Sequence, residues 1–122
     1  MELTAIYHRP ESEYAYLYKD GQLHIRIRTK KEDIKRIVLH YGDPFLYEAT
    51  EEMDKVTSDD LFDYWQVSVA VGYARIQYLF ELEDTKGLKI LYGDRGVASY
   101  NKENLEFVMN GFKLPFIHEI DG

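Results

Sequence analysis

No cysteine occurs among the 122 residues. That excludes a disulfide framework, a thiol nucleophile and a cysteine-ligated zinc, and the fold does not depend on an oxidising compartment. Basic charge is also scarce, with 15 Lys and Arg against 22 Asp and Glu and a formal net charge of −7. This balance argues against a nucleic-acid partner, whose phosphates need a basic surface, and against an anionic membrane surface. No long apolar run is present, so no spanning helix is expected. The opening MELTAIYHRP lacks the basic and apolar regions of a signal peptide, and the segment reads as cytoplasmic. Neither a Gly-rich phosphate loop nor a helical H-E-x-x-H spacing occurs. The four histidines, His8, His24, His40 and His118, are far apart in sequence. His24 and His40 fall on polar strand phases, where a solvated surface position is expected.

Hydrophobic residues make up 45% of the chain, enough for one domain over residues 1–122 with a core of its own. Eleven residues are Tyr. Tyr joins an apolar body to a polar tip, so the excess fits half-exposed binding faces; strand propensity alone accounts for it equally well.

The stretch Leu61–Asp84, LFDYWQVSVAVGYARIQYLFELED, organises the rest. Trp65, Val67, Val69 and Val71 share one phase, with Asp63 at its edge, and Gln66, Ser68 and Ala70 hold the other. Ile76, Tyr78, Phe80 and Leu82 then alternate with Arg75, Gln77, Glu81 and Glu83. Period two predicts two strands with one apolar face each, joined at Gly72-Tyr73-Ala74 as a central hairpin, with Trp65 in the core. Ala5–Tyr7, stopped by Pro10, suits an edge strand. Tyr14–Lys19 shows Tyr14, Tyr16 and Tyr18 on one face and is followed by the turn Asp20-Gly21. Gln22–Thr29 alternates Leu23, Ile25 and Ile27 against His24, Arg26 and Arg28, as a half-buried antiparallel strand does. Ile34–Tyr41 is a further strand, broken at Gly42-Asp43-Pro44. Glu48 to Asp60 reads as a long acidic loop with one short strand near Lys55–Val56. Leu88, Ile90 and Tyr92 follow the turn Thr85-Lys86-Gly87. Asn101 suits either the cap of a short helix through Leu105 or one more strand. Residues 112–122 read as a docking segment or linker. Seven to nine short strands with regular turns predict an antiparallel β-sandwich, immunoglobulin-like in architecture.

Carboxylates are plentiful, but no pair stands out as the placed acid and base that glycoside hydrolysis requires. Asp59, Asp60 and Asp63 could supply oxygen ligands to calcium; a solvated acidic loop is the simpler reading. Phe45 and Tyr47 follow a strand end in a loop where alternation does not need them. There they read as contact residues or as a plug for the end of the sandwich.

Five segments taken in order carry a family likeness: AIYHRP (Ala5–Pro10), AYLY (Ala15–Tyr18), LHIRIRTKK (Leu23–Lys31), GDP with following aromatics (Gly42–Tyr47) and SDDLFDYW (Ser58–Trp65). Together they resemble the N-terminal domain of cyclomaltodextrinases, neopullulanases and maltogenic amylases, intracellular glycoside hydrolases of the α-amylase family. The ending LPFIHEID (Leu114–Asp121) is similar to the segment that leads into their catalytic barrel. The resemblance implies an excised, non-catalytic N-terminal β-sandwich, classed among starch-binding modules, whose barrel lies beyond Gly122. Its implied partners are α-glucans (maltooligosaccharides, cyclodextrins, pullulan), its own catalytic domain and a second subunit whose active site it walls. Phe45 and Tyr47 match that wall, where the commonest version carries Tyr and Trp. No cofactor is expected; some relatives bind calcium in this domain, but no ligand set here matches theirs.

Two classes of function stay open on these grounds. One is an accessory domain that binds α-glucans through Tyr14, Tyr16, Phe45 and Tyr47. The other is an immunoglobulin-like protein-interaction module that uses the same Tyr surface without sugar affinity.

Overall fold

The computed structural model describes residues 1–10, 14–18, 22–43, 47–70, 76–105 and 111–114. A short 3-10 turn at Leu3–Ala5 precedes ten strands: β1 (Ala15–Tyr18), β2 (Gln22–Lys30), β3 (Ile34–Asp43), β4 (Tyr47–Glu52), β5 (Asp54–Ser58), β6 (Phe62–Ala70), β7 (Ile76–Asp84), β8 (Lys89–Gly93), β9 (Gly96–Ser99) and β10 (Phe112–Leu114). They form two antiparallel sheets. One has the order β1-β2-β6-β5; the other has β4-β3-β7-β8-β9, with β10 also paired to β7. The expected antiparallel sandwich is therefore present, with ten strands among the described residues where seven to nine were foreseen.

Strict alternation makes β2 the spine of the four-stranded sheet. Leu23, Ile25, Ile27 and Thr29 are fully buried, and β2 pairs with β6 from Gln22↔Ala70 to Lys30↔Phe62. This register places Trp65 opposite Ile27. The indole is 4% exposed, and its Nε1–H donates to Thr29 Oγ1 at 3.0 Å, so the one polar atom of the ring is satisfied inside the core as expected. The β1–β2 hairpin is also as expected, with Tyr18 paired to Gln22.

Leu61–Asp84 does not form a hairpin. β6 and β7 lie in different sheets and meet face to face through one core cluster that includes Trp65, Val69, Ile76, Tyr78, Phe80 and Leu82. Two apolar faces gain more by covering each other than by lying side by side in one plane, and β2 and β3 supply the backbone partners instead. The stretch read as a long acidic loop with one short strand near Lys55–Val56 is strand over most of its length. It runs as β4 in one sheet and β5 in the other, and it changes sheet at Met53, which is buried and donates its N–H to Ile37 O at 2.9 Å. β5 contains the short strand expected near Lys55–Val56 and is exposed throughout; β4 was not foreseen, since the run from Glu48 to Glu52 shows no apolar phase. Ala5–Tyr7 is not a strand. It begins in the 3-10 turn, and Tyr7 alone makes a bridge, to Arg28. Near Asn101 the chain makes a turn: Asn101 Oδ1 accepts from Asn104 N–H at 2.8 Å, and Leu105 N–H reaches Asn101 O. Phe112, within the segment read as a linker, pairs with Tyr78 and is 4% exposed.

Candidate functional site

On β2 the residues between the buried ones point away from the core: His24, Arg26 and Arg28, each half-buried. Opposite them on β6 stand Ser68, Gln66 and Tyr64. Each pair is tied across the strands or to a neighbour. Ser68 Oγ lies 2.8 Å from His24 Nδ1, Arg26 Nη2 donates to Gln66 Oε1 at 2.9 Å, and Tyr64 Oη donates to Asp59 Oδ2 at 2.9 Å.

A short strap, residues 6–10, runs along the same sheet. Tyr7 N–H donates to Arg28 O at 2.9 Å, and Arg28 N–H donates to Tyr7 O at 3.0 Å. This brings the Tyr7 ring against that of Tyr14, edge to face with centroids 4.9 Å apart. The Arg28 guanidinium lies 4.0 Å from the Phe62 ring centroid and 5.2 Å from that of Tyr7, and its Nε–H donates to Ala5 O. Rings and guanidinium hold one another in place, so the outer face is an ordered row of Tyr7, Tyr14, Arg28, Phe62 and Tyr64. Flat rings that alternate with amide, hydroxyl and guanidinium groups can stack on apolar C–H faces while bonding hydroxyls, the two needs of a sugar ring.

Of the residues proposed from sequence, Tyr14 is in this row. Tyr16 is in the same sheet, its backbone paired to His24; its side chain lies outside the described residues. Tyr47 opens β4 in the other sheet, paired to Asp43, and its side chain also lies outside them, as does Phe45 altogether. Tyr7, Phe62 and Tyr64 were missed. The signal for the last two is phase: they alternate with Asp63 and Trp65 and share the outward phase of Gln66 and Ser68.

The acidic cluster is built differently from a solvated loop. Asp63 is 1% exposed. It accepts from Ser58 Oγ at 2.6 Å and from Glu32 N–H at 2.9 Å, and it pairs with Lys55 Nζ at 3.1 Å. Glu32 has φ of 59°, so Asp63 anchors the left-handed turn between β2 and β3. Burial pushes the Asp63 carboxyl up, but these three partners together hold it below its ordinary value. Asp59 is held low by the N–H groups of Leu61 and Phe62 and by Tyr64. A low pKa suits a turn anchor and is the opposite of what a general acid needs. His40 is likewise not merely solvated: its Nε2 lies 2.9 Å from the buried Glu81, which Lys89 also approaches at 3.9 Å. Among the described residues, no group of three or more His, Asp and Glu is arranged to hold a metal ion. No helix among them is long and apolar enough to cross a membrane.

Two stacked antiparallel sheets with an aromatic outer face define an immunoglobulin-like β-sandwich module. Comparison makes this specific: the chain belongs to the family described as "Alpha amylase, N-terminal ig-like domain", which matches residues 1–118. It is 40% identical over 127 aligned residues to the intracellular maltogenic amylase of Bacillus subtilis (strain 168), covering 99% of this chain and 21% of that protein. It is 32% identical to neopullulanase 2 of Thermoactinomyces vulgaris, covering 81% and 18%. A solved cyclomaltodextrinase superposes with a TM-score of 0.86 at 32% identity, covering 99% of this chain and 21% of that one. The chain thus spans about a fifth of the length of the relatives it matches, and the names of those relatives are names of glycoside hydrolases.

Proposed function

We infer that this chain is a non-catalytic accessory domain of an α-glucan hydrolase of the cyclomaltodextrinase, neopullulanase or maltogenic amylase type. The parent protein would act inside the cell on α-1,4 and α-1,6 glucosidic bonds. The domain's own part is weak binding of maltooligosaccharides, cyclodextrins or pullulan, together with packing against its catalytic domain and a second subunit. The observation that carries the binding role is the outward row Tyr7, Tyr14, Arg28, Phe62 and Tyr64 on a domain of this family. A flat row makes few contacts and association itself costs several kcal/mol, so Kd is on the order of 1 mM, or about −4 kcal/mol. Phe45 and Tyr47 are assigned the second role, as part of a wall for the active site of the partner subunit.

Titration of the 15N-labelled domain with maltoheptaose tests the binding role. Shifts confined to the amides of Tyr7, Tyr14, Arg28 and Tyr64 support it. A spectrum unmoved at those amides at 10 mM sugar (about ten times the expected Kd) favours a protein-interaction module without sugar affinity.

A further inference from the structure

His8 lies where the two sheets meet and is 5% exposed. Its Nδ1 is 2.7 Å from Arg26 O of β2, in the four-stranded sheet. Its Nε2 is 2.7 Å from Tyr78 Oη of β7, in the other sheet. One ring therefore ties the strap to both sheets. The partners fix its proton: Arg26 O can only accept, so Nδ1 carries the hydrogen, and in the neutral ring Nε2 must accept from the Tyr78 hydroxyl. Around the ring stand Phe80 and Phe112, each with its centroid at 4.8 Å, and Tyr78 at 5.3 Å. The titratable groups around it are Tyr78 of β7 and Tyr92 of β8, which bonds the His8 backbone. Burial raises Tyr92, so it too is neutral at ordinary pH. Arg26 offers only its carbonyl, since its guanidinium is turned outward to Gln66. Among the described residues no ion pair reaches His8.

A second proton would make both ring nitrogens donors. Nε2 could no longer accept from Tyr78, and a cation would sit among aromatic rings with no carboxylate paired to it among the described residues. We propose that His8 is a pH-operated latch: proton uptake on its ring frees strap residues 6–10 from β2, and Tyr7 from Tyr14, while the two sheets stay assembled. The geometry is supported by the ring's titration. Burial lowers the His8 pKa from 6.5 to about 4, only partly opposed by the bond to Arg26 O. The sign follows from linkage. The released ring binds its proton near 6.5 and the seated ring near 4, so release is favoured as pH falls through that window. The opening constant of the strap should rise about 30-fold between pH 8 and pH 5 and level off below pH 4. The latch stands whether or not the face it holds binds a glucan.

NMR of the 122-residue chain tests this without a variant. Long-range 1H–15N spectra at pH 7 should show His8 with its hydrogen on Nδ1. Amide exchange, corrected for intrinsic rates, should show Tyr7 and Arg28 losing about 30-fold protection by pH 5 while staying far less protected than Leu39 and Leu79 in the other sheet at every pH, as a strap that opens with the sheets assembled must. His8→Gln should abolish that pH-dependent step, and if this variant does not fold, Tyr78→Phe should raise exchange of Tyr7 already at pH 7. An His8 that titrates at 6.5 in the folded protein overturns the latch. So does a Tyr7 amide whose protection equals that of Leu79 at every pH, since that is global unfolding.

Discussion

Along β2 every second side chain from Leu23 to Thr29 is fully buried, while His24, Arg26 and Arg28 between them stay half exposed. Along β7 every residue from Ile76 to Leu82 is buried, Gln77 and Glu81 included. Both strands alternate apolar with polar residues in sequence. The difference lies in what covers the second face. On β7, Leu79 and Leu91 of β8 form a small apolar cluster closed over by Ala98 of β9 and Leu105. Glu81 next to them is taken up by His40 and Lys89. A polar residue in a strand therefore reports solvent only where no other segment crosses, and β2 keeps its outer face free for the aromatic row.

The largest effect is expected on the shared core. Trp65→Ala removes a buried ring and leaves Thr29 Oγ1 without its donor. The expected cost is about 3 to 5 kcal/mol, with the melting temperature falling on the order of 10 °C or more. A variant that melts within a degree or two of the parent would take Trp65 out of the core.

The comparison itself is put at risk by a pair of variants. Leu79→Ala on β7 should cost about 2 to 5 kcal/mol although it lies on the face away from the main core. Arg26→Ala on β2, which loses one bond to Gln66, should cost about 1 kcal/mol or less. Equal losses in urea unfolding would mean that the two outer faces are not differently covered.

The sandwich, the β1–β2 hairpin, the alternation of β2 and the buried Trp65 were legible because period two marks any strand with one apolar face. Sheet membership was not, since period two is the same whether a strand's neighbour lies beside it or across the core; hence the false hairpin at Leu61–Asp84. β4 was illegible because its residues from Glu48 on form a polar, acidic run without an apolar phase, whereas β5 was read only as a short strand near Lys55–Val56. The covered face of β7 left one mark, Leu79, standing in the polar phase between Gln77 and Glu81. In the row, Tyr14 was named from sequence, whereas Tyr7 joins only through its backbone bridge to Arg28, 21 positions away in sequence. Such a long-range bridge has no local signature.

Asp63 tests the polar end of the buried phase on β6. Asp63→Asn should cost about 1 to 3 kcal/mol at neutral pH, because charge-assisted bonds to Ser58, the Glu32 N–H and Lys55 are weakened. The folded carboxyl titrates below its ordinary value of 3.8, so its contribution is present above that value and is lost as pH falls through the folded pKa. Stability curves of parent and variant should therefore run parallel from pH 5 to pH 8 and converge below about pH 4. Convergence near neutral pH would mean that Asp63 is not the anchor of the Glu32 turn.

The smallest effect concerns the open face of the β2 sheet and is read in binding. Tyr14 meets Tyr7 edge to face, on a row flanked by Arg28. Stacking of a sugar on such a ring is worth on the order of 0.5 to 1.5 kcal/mol, the scale of an aromatic pair. Tyr14→Ala should weaken a millimolar maltoheptaose interaction roughly two- to tenfold. It should leave the fold intact, since the residue is only half-buried. Arg26→Ala is the control on the same face: its guanidinium already bonds Gln66 and it stands outside the aromatic row. Equal weakening by both variants would mean that the sheet's charge and not its rings attracts the ligand. No weakening by either, with binding still measurable, would move the sugar off this face and towards Phe45 and Tyr47.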